Sequence, residues 1–150
     1  MILAFKVPIY RAEVALFIAT TVEEFEKFYK DNKKKITDEA YQQIKKDLAD
    51  EDETGGANYI CGISYITYIR NPYDENSIAH ELYHLTNNIL TDRGVEHTLI
   101  DEPYAYLNGY LHTQWKECLK EYKKEKKDEK ARRTSGDGSG TNTEREKSEG

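Results

Sequence analysis

The order of apolar and polar residues predicts short strands alternating with amphipathic helices. Residues 2–7 and residues 13–19 are dense in β-branched and aromatic side chains and predict two strands. A third such region covers residues 58–69. Gly62 and Ser64 indicate a turn that would make this region a hairpin, with a single bent strand as the alternative.

Apolar residues at helical spacing, each set preceded by a capping residue, predict four helices. The first follows a capping-box pattern, in which Thr21 is followed three residues later by Glu24. The first predicted helix covers residues 22–30 after the cap Thr21, and the second runs from the cap Thr37 to Leu48. The third runs from near Asp74 to about Leu90, and the fourth from Asp101 to about Arg133.

These elements predict an α+β fold with a short, mostly antiparallel sheet packed on the third helix and on a long C-terminal helix. A chain of 150 residues allows one domain with a substantial core. We expect that domain over residues 1–120, followed by a charged helical extension over residues 121–133. Residues 134–150 are rich in Gly, Ser, Thr and Glu and predict a disordered tail.

Charge and cysteine content exclude several functions. The net charge is -6, and the basic residues near 120–133 alternate with acidic ones, which is typical of a solvated helix and not of a nucleic-acid surface. No apolar run could span a bilayer, and no signal peptide is evident, so we expect a cytoplasmic protein with no membrane contact. Cys61 and Cys118 lack metal-type spacing and are expected to be free thiols.

The candidate chemistry lies in the third helix, at residues 80–84, which read His-Glu-Leu-Tyr-His. His80 and His84 are four residues apart and so share one helix face, where two neutral imidazoles can hold a zinc ion. Glu81 between them can accept a proton from a metal-activated water. The alternative is a pair of solvent-exposed histidines on an amphipathic helix.

The apolar stripe of this helix supports the first interpretation. At about 100° per residue the stripe contains Ile78, Leu82, Leu85 and Ile89. His80 and His84 fall nearly opposite the stripe, so the histidines are predicted to face away from the core.

A catalytic zinc ion needs a third protein ligand. The candidates are Glu96, His97, Asp101, Glu102 and His112. The fourth helix has an apolar stripe made of Tyr104, Leu107, Leu111, Trp115, Cys118 and Tyr122, and its opposite face carries Glu102, Ala105, Tyr106, Gly109 and Thr113. Ala105 and Gly109 are small and would let this face approach another helix closely. Glu102, on the first turn of the same face, could then reach a metal held by the two histidines. Asp101 fits the role of helix N-cap better than that of a metal ligand.

The motif at residues 80–84, followed by Asp-Glu-Pro-Tyr-Ala-Tyr at residues 101–106, resembles the gluzincin branch of the zinc metallopeptidases. In that branch a downstream Glu in a Glu-x-x-Ala context is the third ligand, and Glu102 and Ala105 match this context. The short strand before the motif helix is similar to compact ImmA/IrrE-like and phage-encoded members. The resemblance covers about residues 57–115 and implies a small zincin-like domain.

The resemblance implies a role for each matching residue. His80, His84 and Glu102 would bind Zn²⁺, and Glu81 would be the general base in hydrolysis of peptide bonds. An endopeptidase is expected in preference to an exopeptidase. Tyr106 is the first choice for stabilising the oxyanion, with helix packing as its alternative role. Tyr110, His97 and His112 are further oxyanion candidates.

The partner expected from this chemistry is a protein or peptide substrate. An extended substrate would pair with a strand edge, and residues 65–69 are the candidate edge because they precede the motif helix. The alternative places this strand inside the sheet.

Two other functions stay open. A non-catalytic interaction or regulatory protein could keep the zinc for stability, with His97 as a fourth ligand. A purely helical adaptor would use the long last helix, whose apolar residues Leu111, Trp115, Leu119 and Tyr122 either contact a partner or complete the core.

Overall fold

The computed structural model describes residues 1–50, 55–61, 64–95 and 101–136, with side chains described for residues 102–134 in the last range. These residues form an α+β structure with one four-stranded sheet. The strands are β1 (Ile2–Val7), β2 (Ala12–Ile18), β3 (Gly56–Cys61) and β4 (Ser64–Ile69), and a 3-10 turn at Pro8–Tyr10 joins the first two.

Four α-helices lie in the described residues, at α1 (Val22–Asn32), α2 (Asp38–Ala49), α3 (Glu75–Thr91) and α4 (Asp101–Gly136). The predicted caps are confirmed for the first three helices. Thr21 and Glu24 form both bonds of the capping box, Thr37 accepts from the Ala40 amide, and Asp74 accepts from two amides. The last helix extends past the predicted end at Arg133, and the predicted tail beyond residue 136 lies outside the described residues.

The sheet order is β1-β2-β4-β3. The outer pairs β1–β2 and β3–β4 are antiparallel, and the central pair β2–β4 is parallel, because α1 and α2 carry the chain across one face between them. The hairpin prediction is confirmed, since Cys61 faces Ser64 across β3 and β4. Residues 62 and 63 between them lie outside the described residues.

This order corrects the predicted substrate edge. Residues 65–69 belong to β4, which pairs with β2 on one side and with β3 on the other, so the prediction that they form a free edge is wrong. Tyr65, Ile66, Thr67, Tyr68 and Ile69 are all buried, as expected for a strand covered on both faces. The outer strand on this side of the sheet is β3.

Each face of the sheet carries its own apolar core. On one face Val14, Leu16 and Ile18 of β2 pack beneath α3 and α4. On the other face Ala15 and Phe17 pack beneath α1 and α2. Neighbouring β2 residues alternate between the two faces and both faces are covered, which explains why this strand is apolar from Val14 to Ile18.

The apolar stripe of α4 is buried as predicted, and Leu111, Trp115 and Tyr122 belong to the core. On the opposite face Ala105 and Gly109 are exposed, and a Cβ added at Gly109 would lie in open space. With its stripe directed into the core, the helix leaves the small residues in solvent. Cys61 and Cys118 are free and buried. No helix in the described ranges has the length and apolarity needed to cross a bilayer.

Candidate metal centre

The motif helix begins directly after β4, where Asp74 fixes its start. The Asp74 carboxylate accepts from the backbone amides of Asn76 and Ser77 and, at 2.6 Å, from the Ser77 hydroxyl. The Ser77 hydroxyl bond, followed by the backbone bonds, lowers the pKa of Asp74 from its ordinary value, so the cap stays ionised. A negative cap at a helix N-terminus is favourable and fixes the orientation of α3.

His80 and His84 lie on the exposed face of α3, opposite the buried residues Ile78, Leu82 and Ile89. Their ring centroids are 4.5 Å apart, and their Nε2 atoms are 3.0 Å apart. Two imidazole nitrogens bound to one tetrahedral zinc ion at about 2.0–2.1 Å would be about 3.3 Å apart. The two nitrogens lie within hydrogen-bond distance of each other and also at nearly the separation that a shared zinc ion requires, so this pair could supply two zinc ligands.

The side chain of Glu81 turns in another direction, towards the sheet, and is only 5% exposed. Asn58 of β3 donates its side-chain amide to the Glu81 carboxylate Oε2 at 2.5 Å and also to the Glu81 backbone carbonyl at 3.2 Å. The side-chain carbonyl oxygen Oδ1 of Asn58 in turn accepts a hydrogen bond from the hydroxyl of the fully buried Thr67 at 2.7 Å. A chain of hydrogen bonds from Thr67 through Asn58 thus orients the carboxylate that follows His80.

Gly56 allows this arrangement by leaving room where any side chain would collide. A Cβ atom added at Gly56 would lie 2.1 Å from the Tyr68 carbonyl oxygen and 2.8 Å from Cγ of Glu81. Both distances are shorter than real Cβ contacts. The carboxylate of Glu81 therefore packs against the start of β3 because residue 56 is a glycine.

We expect Gly56→Ala to lower the free energy of unfolding by about 2–3 kcal/mol, because the backbone oxygen of Tyr68 cannot move away without breaking the sheet. Gly109→Ala is the matched control. It adds the same methyl group to an open helix position and should raise stability by about 0.5–1 kcal/mol. Urea unfolding of both variants measures the two effects, and equal stabilities would contradict the close packing at Gly56.

The other predicted ligands are not assembled with the histidine pair. Among the residues that the structure describes, no group of three or more His, Cys, Asp or Glu side chains could hold a metal ion. Glu102 is exposed on the first turn of α4, whose Tyr104 hydroxyl donates to Asn87 of α3 at 3.1 Å. Glu96 and His97 and the side chain of Asp101 lie outside the described residues. The assignment of Glu102 stays a prediction.

The helices α3 and α4 border an open groove. Tyr83, which follows in sequence between the two histidines, lines a groove of about 550 Å³ together with His112 and Lys116 of α4. Burial, and then the charge of Lys116, lower the pKa of His112, so this imidazole is neutral at pH 7.

Tyr106, the first choice for an oxyanion donor, lies away from this groove. It is 76% exposed and borders a small apolar pocket with Pro8 and Ile9. Tyr110 borders the same pocket and donates its hydroxyl to the Lys6 carbonyl at 3.1 Å. In the described structure neither tyrosine is grouped with His80, so the oxyanion role of Tyr106 also stays a prediction.

The sequence reasoning missed Asn58 and Thr67. Asparagine is disfavoured in strands, and a hydroxyl in the middle of an apolar strand needs a partner. Both residues therefore carried a signal of a buried polar network. The identity of their partner, the Glu81 carboxylate, depends on the pairing of Asn58 with Thr67 across β3 and β4. This long-range pairing cannot be read from the sequence alone.

Comparison with family models, with curated proteins and with solved structures gave no match for this chain. The features of the molecule that bear on function are therefore two converging imidazoles, with a buried, hydrogen-bonded carboxylate between them in sequence.

Proposed function

We propose that the chain is a zinc-dependent peptidase that cleaves peptide bonds within an extended protein or peptide substrate. The observation that carries the proposal is the 3.0 Å approach of the His80 and His84 Nε2 atoms on an exposed helix face. The oriented carboxylate of Glu81 and the sequence resemblance to gluzincins support it.

His80 and His84 would hold the metal with Glu102 as the third ligand. Zinc supplies a Lewis acid that polarises the scissile carbonyl and brings the pKa of water towards ~7. Two neutral imidazoles and one carboxylate suit this ion. Glu102 is proposed for this role because it matches the Glu-x-x-Ala context and lies on the first turn of α4, a helix that contacts α3 through Tyr104 and Asn87.

Glu81 acts as the general base. Its carboxylate takes a proton from the attacking water and later delivers it to the leaving amine nitrogen. Asn58 and Thr67 do not touch the substrate in this account. They are positioning residues that restrict the rotation of the Glu81 side chain, and correct orientation of a reacting group contributes strongly to rate.

The substrate would pair with β3, the outer strand of the sheet beside α3. This strand holds Asn58, which contacts Glu81, so a peptide along it would pass close to the general base. Ile60 near the end of β3 is 50% exposed and offers an apolar contact. A strand-like substrate that continues in both directions favours cleavage of internal bonds.

The direct test is incubation of the zinc-loaded protein with a peptide library from a denatured proteome, followed by mass spectrometry of new termini. We expect cleavage that stops when a chelator removes the metal. A library left intact by the zinc-loaded protein would overturn the proposal.

We expect Asn58→Ala to lower kcat by about 10–100-fold with little change in KM, because the Glu81 carboxylate loses the amide that orients it. The control is Asn76→Ala, which changes an exposed asparagine on the first turn of α3. Steady-state kinetics with one library-derived peptide measures both variants.

The second residue of the hydrogen-bond chain gives an internal check. Thr67→Val removes the hydroxyl at nearly constant shape and should lower kcat in the same direction, whereas Thr67→Ser keeps the hydroxyl and should retain activity. An Asn58→Ala enzyme that folds and turns over at the wild-type rate would contradict the positioning role.

The alternative function is a zinc-containing interaction or regulatory protein without catalysis. A structural zinc ion would need a closed site of four protein ligands, so His80 and His84 would have to be joined by two more. Tightly bound zinc, combined with an intact peptide library, would support this function instead.

A further inference from the structure

We propose that the cleft between β1 and α1 binds a small carboxylate with an apolar chain. The cleft has a volume of about 260 Å³ and lies on the face of the sheet that α1 and α2 cover. The sheet separates it from α3 and the histidine pair, so this site does not depend on the proposed peptidase activity. A mostly apolar cleft with a few polar groups at its opening is typical of ligand sites.

Two alanines create the cleft. Ala4 of β1 pairs with Ala15 of β2, and Ala15 pairs with Ile66 of β4, so these three side chains form one row across the sheet. The short side chains of Ala4 and Ala15 leave a depression next to the larger Ile66. Phe28 and Ile36 form the wall above it. The floor and the wall are therefore apolar.

The next row of the sheet carries the charges at the opening. Lys6 pairs with Glu13 across β1 and β2, and the Glu13 carboxylate accepts from Lys35 at 2.6 Å. The hydrogen bond from Lys35, followed by its charge, lowers the pKa of Glu13, so the glutamate is ionised and paired. The lining residues include two lysines and one glutamate, so the opening carries one net positive charge. With Lys35 bonded to Glu13, the Lys6 ammonium group supplies this charge and suits a carboxylate.

The volume sets the size of the ligand. A cavity of about 150 Å³ holds benzene, which has six non-hydrogen atoms, so a cleft of about 260 Å³ has room for roughly ten. Octanoate has this number of atoms, with a carboxylate at one end and an apolar chain behind it. It is therefore the probe that matches both the floor and the opening.

Isothermal titration of the full chain with octanoate tests the proposal. We expect saturable binding at one site, at least 10-fold weaker in Ala15→Leu, whose side chain would fill the depression. Ala49→Leu makes the same change at the exposed end of α2 and should bind as the wild type does. If Ala15→Leu does not fold, Ala4→Leu on the outer strand β1 fills the same space with less disruption.

The charge is tested separately with Lys6→Gln. This variant should bind octanoate about 3–5-fold more weakly than the wild type and bind octanol equally well, because only the carboxylate uses the lysine. No saturable binding of octanoate to the wild type would overturn the proposal. Equal binding by a folded cleft-filling variant, or equal loss of octanol and octanoate binding in Lys6→Gln, would also overturn it.

Discussion

Replacing Glu81 with glutamine should reduce peptide hydrolysis by about 10³-fold while zinc content and thermal unfolding stay close to the wild type. Glutamine has no basic carboxylate, so it cannot take the proton from water, and general base catalysis contributes about 10²–10⁴-fold to such reactions. The fold should survive because the glutamine carbonyl can still accept the hydrogen bond from Asn58. Cleavage of a library-derived peptide, followed by mass spectrometry, measures the effect.

Glu117→Gln is the matched control, since it makes the same change at an exposed position of α4 and should keep full activity. Zinc content of both variants should be measured on the same preparations. A folded, zinc-loaded Glu81→Gln protein that cleaves at the wild-type rate would contradict the role of Glu81 and, with it, the proposed mechanism.

Removing either histidine of the pair should cause a large loss of zinc affinity. His80→Ala and His84→Ala should each weaken zinc binding by at least about 100-fold. Four ligands of a structural zinc site share about 10–16 kcal/mol, so one ligand accounts for about 3 kcal/mol, which is about a 100-fold change in affinity. Both histidines are exposed, and the fold should remain intact in either variant.

Competition with a chromogenic chelator measures these affinities. His112→Ala is the control, because it removes a half-buried histidine of α4 that is not part of the pair, and its zinc affinity should match the wild type. Glu102→Ala should also weaken binding. Unchanged affinity in Glu102→Ala would remove Glu102 from the ligand set, and unchanged affinity in both histidine variants would refute the zinc site.

Local signals in the sequence predicted the individual elements well. The capping box at Thr21 and Glu24 and the cap at Asp74 each depend on residues within one helical turn, and both are present. The buried stripe of α3, from Ile78 to Ile89, follows from helical periodicity alone. These features need no knowledge of distant residues.

Long-range pairing was the part that local signals could not provide. The parallel pairing of β2 with β4 joins segments about fifty residues apart, and it makes residues 65–69 central instead of a free edge. Their largely apolar and aromatic sequence was a clue, because a strand covered on both faces reads as a near-continuous apolar run and does not alternate with polar residues. The contact of Asn58 with Glu81 depends on the same sheet order.

The face of α4 that carries Gly109 shows how far small residues can predict helix packing. Small residues permit close helix approach but do not require it. Here the buried stripe of Tyr104, Leu107 and Leu111 fixes the rotation of the helix, and Gly109 is left in solvent. The burial of large apolar side chains contributes more free energy than close contact at two small residues.

The zinc K-edge X-ray absorption spectrum of the zinc-loaded full chain reports directly on the ligands of the proposed metal centre. We expect one tightly bound zinc ion with two imidazole nitrogens and further oxygen ligands at about 2.0–2.2 Å, and no sulfur. In His84→Ala the part of the absorption spectrum that arises from imidazole ligands should fall by half. A zinc ion bound through sulfur, or a chain that binds no zinc at micromolar concentration, would contradict the proposed metal centre.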